Sequence, residues 1–414
     1  MAEPEKSVSF QRVMIIAGES SGEMYGALLA AELRARHPML EISGIGGDKM
    51  ARAGVKLLAR IASSFGLIEA IRTFRQLRRA YAAILDSLAS QRPQALILID
   101  YPDFNMKIAP RARALGIPVL YYVSPQVWAW RAGRVRKMVR IADFLAAILP
   151  FEEKIYQDAG MACAFVGHPV FDEIRAVITF LGFQEGDIGS EALRRAAKSA
   201  LGCDPDRPLL VVMPGSRSHE INLLLPALTE SLRQLKQTRP DYQYVVPVAP
   251  NLPHTVQNSL RFGLEHGTDL NVRIVDDALL ALMAAECGII ASGTSTLQAA
   301  LLGVPHVVVY RLSPLTFWLG KRIVKVRYIS LSNILLDTLG TDAAPFRIVE
   351  LLQDDANPAA IAAEVMRLTD NAAYRADCLR QFELVRELFR HKHATAVVAD
   401  RVEMFARGAG AGST

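Results

Sequence analysis

The sequence predicts an α/β protein: two doubly wound domains in tandem facing a cleft, followed by a helical C-terminal region. Three observations carry this reading. Short apolar runs recur along the chain with amphipathic stretches between them, the pattern of buried parallel strands alternating with helices. The 414 residues exceed one ordinary domain and suit two. The strand series breaks once, at the segment GHPVFDEI, and then resumes.

In the first half the apolar runs Val13 to Ala17, Ala95 to Ile99, Val119 to Val123 and Phe144 to Leu149 read as buried strands. Tyr25 to Arg36 and Ile71 to Leu88 read as helices. A break follows Val166, and the domain linker is expected at residues 168–175. The second series comprises Pro208 to Met213, Tyr244 to Val248, Val272 to Val275, Gly288 to Ala291 and His306 to Val309. From Pro345 to Phe405 the chain reads as successive helices without strands, and GAGAGST as a flexible tail. The expected domains are residues 1–170, residues 171–375 and a terminal helical stretch, residues 376–414, free to return to the first domain. The halves do not align as a repeat, so any duplication is architectural.

Composition narrows the function classes. Hydrophobic residues make up 51% of the chain, enough for two cores. No apolar run reaches the ~18 residues of a spanning helix. The N-terminal MAEPEKSVSF has no signal-peptide core, so a cytoplasmic location is expected. Cys163, Cys203, Cys287 and Cys378 are far apart and form no C-x-x-C pair, which speaks against a zinc site or a disulfide framework. They are expected to act as small buried apolar residues. A net charge of +5 fits anionic substrates or an anionic membrane surface, and equally an incidental excess. No cofactor and no nucleic-acid partner is called for.

Ligands of doubly wound sheets bind outside the carboxyl ends of the strands, so motifs there carry the functional reading. GESSGEMYG follows the first strand. Gly18 and Gly22 permit a tight turn, Ser20 or Ser21 can cap the next helix, and its N-terminus suits a phosphate or a sugar hydroxyl. The spacing is not G-x-G-x-x-G, and an ordinary turn that binds nothing is the alternative. In ALILIDYPDFN, Asp100 ends a buried-type strand, where a partly desolvated carboxylate can act as acid or base; a loop-capping aspartate is the alternative. Asp103 reads as a helix N-cap. In MPGSRSHEI, Gly215 and Ser216 open a helix with Arg217 in its first turn. Backbone N–H groups, a helix dipole and a guanidinium together suit a diphosphate; otherwise Arg217 simply pairs with Glu220. In IIASGTSTLQ, Ser292, Gly293, Thr294 and Ser295 cluster donors at another helix start. Two such turns in one domain point to one nucleotide held between them. Asp204 and Asp206 spell D-x-D but precede a strand, so they read as a solvated loop, and no metal site is expected.

Two stretches are basic and amphipathic. Ile68, Ile71, Phe74 and Leu77 share a helical face flanked by Arg72, Arg75, Arg78 and Arg79. Phe317, Trp318 and Leu319 lie beside Lys321, Arg322, Lys325 and Arg327. Either can lie on an anionic bilayer or be an ordinary packed helix with a solvated basic face.

Taken together and in order, GESSG, IDYPDFN, YVSPQVWAWR, LPFE, FVGHP, PGSR, ASGTSTL, FWLGKR and SLSNIL resemble the lipid A disaccharide synthases, over residues 13 to about 340. The resemblance implies a GT-B pair of Rossmann-like domains and an inverting, metal-independent transfer. Its substrates are UDP-2,3-diacylglucosamine and 2,3-diacylglucosamine 1-phosphate, and its place is the cytoplasmic face of the inner membrane. It implies Asp100 as general base, Arg217 as diphosphate ligand and Asn333 as a cleft asparagine, and it leaves a homodimer open. The chain departs from the pattern at Glu23, usually aspartate, and at Gln298, usually a glutamate that holds the ribose hydroxyls. A neutral acceptor at Gln298 makes a weaker bond than a charged one. Two other classes stay in view: a UDP-sugar epimerase, for which His168 and His219 are the nearby titratable groups, and a non-catalytic membrane-associated nucleotide binder.

Overall fold

The computed structural model describes residues 10–60, 67–125, 133–248, 252–265, 272–313, 317, 327–340 and 346–411. The chain folds as two compact units, Met1–Asp172 with Lys392–Thr414, and Glu173–His391.

The first unit is built on a seven-stranded parallel sheet of order β3-β2-β1-β4-β5-β6-β7. Its strands are β1 (Arg12–Ala17), β2 (Glu41–Gly46), β3 (Lys56–Arg60), β4 (Ala95–Ile99), β5 (Val119–Tyr122), β6 (Phe144–Ala147) and β7 (Cys163–Phe165). The central runs are apolar at every position because helices cover both faces: all five residues of β4 and all four of β5 are buried. The helices are α1 (Ser20–Arg36), α2 (Asp48–Arg52), α3 (Leu67–Gln91), α4 (Pro102–Ala114), α5 (Arg134–Ile141) and α6 (Pro150–Gln157).

The expected linker at 168–175 is instead part of a helix, α7 (Pro169–Phe180). A proline at the first helical position needs no N–H partner there, so Pro169 starts a helix and does not mark a break. The unit boundary after Asp172 falls inside α7. The stretch 176–192 closes as a capped connector. Arg175 pairs with Glu185 at 2.7 Å, and Ser190 Oγ accepts the Leu193 N–H at 3.2 Å to start the next helix.

The second unit carries a six-stranded parallel sheet of order β10-β9-β8-β11-β12-β13. Its strands are β8 (Leu209–Met213), β9 (Gln243–Pro247), β10 (Val272–Val275), β11 (Cys287–Ala291), β12 (His306–Tyr310) and β13 (Glu350–Leu352). Around them lie α8 (Glu191–Ala200), α9 (Ser218–Thr238), α10 (His254–Glu265), α11 (Ala278–Met283), α12 (Thr294–Leu302), α13 (Leu331–Thr338), α14 (Pro358–Asp370) and α15 (Ala372–Glu387). The presence of β13 corrects the expectation that no strand follows Pro345. It is a three-residue edge strand, too short to leave a period in the sequence.

The chain re-enters the first unit at Lys392, later than residue 376, and ends in α16 (Ala394–Ala411). Asp172 Oδ2 accepts the Thr395 N–H at 2.7 Å, Arg36 pairs with Asp400 and Glu403, and Arg401 lies 4.1 Å from the Phe144 ring centroid. An N-terminal helix and a C-terminal helix thus share one core.

Candidate active site

In the first unit, the register of β1 on β4 pairs Ala17 with Ile99, so the turn at Gly18 lies beside Asp100 and Tyr101. A Cβ on Gly18 would stand 2.1 Å from Tyr101 Cγ, which is why glycine occupies the turn. Asp100 and Tyr101 both adopt left-handed backbone, with φ of 48° and 49°. The Asp100 N–H continues the ladder to the Tyr122 carbonyl at 3.0 Å. Its own carbonyl accepts two bonds, from Asn105 Nδ2 at 2.7 Å and from the Tyr121 hydroxyl at 2.8 Å. Burial and the nearby Asp100 charge push the Tyr121 phenol well up, so it stays a proton donor.

Three cap assignments need correction. The residue preceding α4 is Tyr101, and Asp103 lies inside the helix, where its carboxylate accepts from Arg134 at 2.7 Å. Helix α1 begins at Ser20 itself; Glu19 precedes it without a side-chain cap, and Ser21 and Gly22 lie in the first turn. Arg217 precedes α9 and does not lie within its first turn. In each case the turn of backbone between strand and helix is shorter or longer by one to three residues than the motif suggests. Glu23 Oε1 accepts the Lys49 N–H at 2.7 Å, tying α1 to the start of α2. His168 is buried, its Nδ1 accepts the Val170 N–H at 3.2 Å, and burial pushes its pKa down to about 3.

In the second unit, β11 pairs with β8 so that Ile290 stands opposite Met213. The turns after these strands, at Gly215 (φ 106°) and Gly293 (φ 154°), are therefore neighbours, each leading into a helix. Ser216 is exposed, and space is open around Gly293. Arg217, half-exposed, reaches Glu220 Oε1 at 3.3 Å, and the Tyr310 hydroxyl donates to the same oxygen at 3.0 Å. Glu220 is buried beneath the turn; burial first, and Glu220 second, push Tyr310 up to about 12. Thr294 and Ser295 open α12. Ser292 Oγ donates to the Ile329 carbonyl at 2.9 Å, and Thr296 Oγ1 to the Gly293 carbonyl at 2.8 Å. Gln298 Nε2 donates to Glu173 at 3.2 Å, so a carboxylate stands beside the glutamine after all.

Asn333 departs from its expected role. It is fully buried; its Nδ2 donates to the Ile348 carbonyl and to Glu350, both at 2.8 Å, and its Oδ1 accepts the Ile348 N–H at 2.9 Å. Its amide is spent on joining α13 to β13. Glu350 also accepts from the Ser330 hydroxyl at 2.7 Å and the Ile329 N–H at 2.9 Å. Sequence reading missed Glu350 because β13 itself was invisible.

The family described as lipid-A-disaccharide synthetase matches residues 13–399. The chain belongs to that family. The lipid-A-disaccharide synthase of Trichlorobacter lovleyi is 40% identical over 380 residues, covering 91% of this chain and 93% of its own. That of Coxiella burnetii (strain RSA 331) is 36% identical over 395 residues, covering 95% and 98%. Among solved structures, the UDP-GlcNAc 2-epimerase of Neisseria meningitidis bound to UDP-GlcNAc superimposes with TM-score 0.64 at 12% identity, covering 95% of this chain and all of that one. Acinetobacter baumannii MurG gives TM-score 0.51 at 15% identity, covering 95% and 99%. At such identities the likeness speaks for the fold, two Rossmann-like domains of GT-B type.

Only parts of the two basic stretches lie within the described residues. Arg78 and Arg79 are exposed on α3, and Leu77 packs half-buried on the core. The side chains of Ile68, Ile71, Arg72, Phe74 and Arg75, and the whole of Trp318, Lys321 and Arg322, lie outside the described residues; Phe317 is half-buried. Among the described residues no helix is long and apolar enough to cross a membrane. Asp204 and Asp206 sit before β8, at the end of the sheet away from the Gly215 turn, with Asp206 paired to Arg195. Among the described residues no group of three or more His, Cys, Asp or Glu could hold a metal ion, and all four cysteines are buried and unbridged.

Proposed function

We propose that the chain transfers 2,3-diacylglucosamine from UDP to 2,3-diacylglucosamine 1-phosphate, giving the lipid A disaccharide 1-phosphate and UDP with inversion. The observation that carries the reading is the family match, which spans both units from residue 13 to 399.

Asp100 takes the proton of the acceptor hydroxyl. The oxygen attacks the anomeric carbon on the face opposite the diphosphate, the bond to the diphosphate breaks, and UDP leaves with the electron pair. A single displacement inverts the anomeric centre. Negative charge grows on the departing diphosphate, and Arg217 with the N-termini of α9 and α12 offsets it from positions set before the reaction begins. Gly18, Ser20, Ser21 and Gly22 serve the acceptor side. Gly215, Ser216, Ser292, Gly293, Thr294 and Ser295 cradle the nucleotide, and Gln298 with Glu173 addresses the ribose.

Both substrates are acylated, so the protein works as a peripheral protein on the cytoplasmic face of the inner membrane, with the arginines of α3 against anionic headgroups. Asp100→Asn tests the mechanism. General base catalysis is worth about 10²–10⁴-fold, so turnover falls by that factor with UDP affinity nearly unchanged; turnover like the parent's removes Asp100 from the role.

A further inference from the structure

Two consecutive residues that are not glycine, Asp100 and Tyr101, hold left-handed backbone at the end of β4. L-residues avoid this region because Cβ crowds the following carbonyl, and such strain persists only where the surroundings over-determine it. Here the constraint is identifiable. The Asp100 carbonyl, which would otherwise swing with ψ, accepts from both Asn105 Nδ2 at 2.7 Å and the Tyr121 hydroxyl at 2.8 Å. Asn105 also reaches the Ile99 carbonyl at 3.4 Å, and both side chains are fully buried. The first turn of α4 closes the other side, where the N–H groups of Phe104 and Asn105 reach the Tyr101 carbonyl at 3.2 and 3.0 Å.

Asn105 is an uneconomical core residue unless its N–H groups are needed. Its Oδ1 is buried with no hydrogen-bond partner among the described residues, an unfavourable state for a polar atom. The amide cannot turn over to relieve this, since its oxygen would then face the two carbonyls its nitrogen now serves. Tyr121 sits on the central strand β5, whose register places Leu98 beside it, and its hydroxyl reaches the Asp100 carbonyl just past the end of β4.

We infer that Asn105 and Tyr121 are positioning residues for Asp100: by pinning its carbonyl they fix the peptide plane, and with it the Cα–Cβ direction along which the carboxylate is presented. This rests on the reading of Asp100 as the base. It assigns a role in the reaction to two side chains that touch no substrate.

The test is a double-mutant cycle on the full-length protein, with Tyr121→Phe, Asp100→Asn and the pair, following kcat, KM for both substrates and the pH–rate profile. Tyr121→Phe removes one oxygen. Misplacing a reacting group by a fraction of an ångström to an ångström costs about 10–100-fold, so kcat falls by that much with both KM values near the parent's, and the acid limb of the profile flattens. In the Asp100→Asn background the same change has no further effect on kcat, because no base is left to aim. A purely structural tyrosine gives the same loss in both backgrounds, and that result overturns the inference. So does a Tyr121→Phe enzyme with the parent's kcat and profile, provided Asp100→Asn is slow. If Asp100→Asn itself turns over like the parent, the base reading fails instead, and the two failures are distinguished. Should Tyr121→Phe not fold, Asn105→Ala, which leaves the tyrosine in place, goes through the same cycle with the same expected and contrary outcomes.

Discussion

Replacing Arg217 by alanine separates a nucleotide ligand from a surface ion pair. The side chain is 53% exposed and its partner Glu220 Oε1 lies 3.3 Å away. An ion pair with one partner in solvent is worth about 0–1 kcal/mol, so leaving Glu220 to meet a diphosphate costs little. Hydrogen bonds from a guanidinium to a charged oxygen are worth about 1.5–3 kcal/mol. The difference, about 0.5–3 kcal/mol, is roughly a 2–150-fold weakening of UDP. Glu220 keeps its hydrogen bond from the Tyr310 hydroxyl at 3.0 Å, and the thermal melt reads the cost of leaving that buried carboxylate without its guanidinium. Uridine has no diphosphate and should bind Arg217→Ala within about twofold of the parent by this reasoning. Calorimetric titration with UDP and with uridine decides it, supported by a thermal melt of each protein. Equal losses for the two ligands refute the reasoning and leave Arg217 as a partner of Glu220 only.

Three further outcomes follow from the geometry. Gly18→Ala puts a methyl 2.1 Å from Tyr101 Cγ; overpacking of this kind costs about 1–3 kcal/mol, which Tyr101→Ala in the same chain should largely recover in thermal unfolding, and a simple sum of the two losses contradicts the clash. His168 stays neutral when folded, its pKa pushed down to about 3 by burial, while the unfolded chain takes up that proton near 6.5. Stability therefore falls as pH drops below about 6.5, by up to ~1.4 kcal/mol per pH unit from this group, and urea unfolding at pH 7 and pH 5 should show His168→Asn less acid-sensitive than the parent; equal sensitivity sinks the assignment. Arg72, Arg75, Arg78 and Arg79 changed together to serine should reduce co-sedimentation with anionic vesicles, each residue being worth up to ~1 kcal/mol at moderate salt, while activity on detergent-dispersed substrate changes less; parental vesicle binding makes α3 an ordinary solvated face.

Much of the fold was legible because buried parallel strands leave long apolar signatures. The strand expected at Ala95 to Ile99 is β4 to the residue, and Val272 to Val275 is β10. The strands that escaped are those lacking that signature: β2, EISGIG, is interrupted by glycine and serine, β3, KLLAR, is a half-buried edge strand with a charged residue at each end, and β7 and β13 are three residues each at sheet edges. The expected linker failed because Pro169 reads the same way as a helix start and as a chain break until the hydrogen bonds are known. At the candidate site, residue types at strand ends were readable, while their hydrogen-bond partners were not. The paired neighbourhood of Gly215 and Gly293 depends on β8 lying beside β11, strands remote in sequence. Likewise nothing local announces that Asn333 is spent on Glu350, or that Glu173 stands against Gln298.

The most direct test of the account is to incubate the purified protein with UDP-2,3-diacylglucosamine alone and then with 2,3-diacylglucosamine 1-phosphate added, following UDP release and the lipid products by mass. The account predicts no UDP release and no change in the sugar without acceptor, and stoichiometric UDP and disaccharide 1-phosphate with it. An epimerised donor formed without acceptor, or bound UDP-sugar that never turns over in the presence of both substrates, would contradict it.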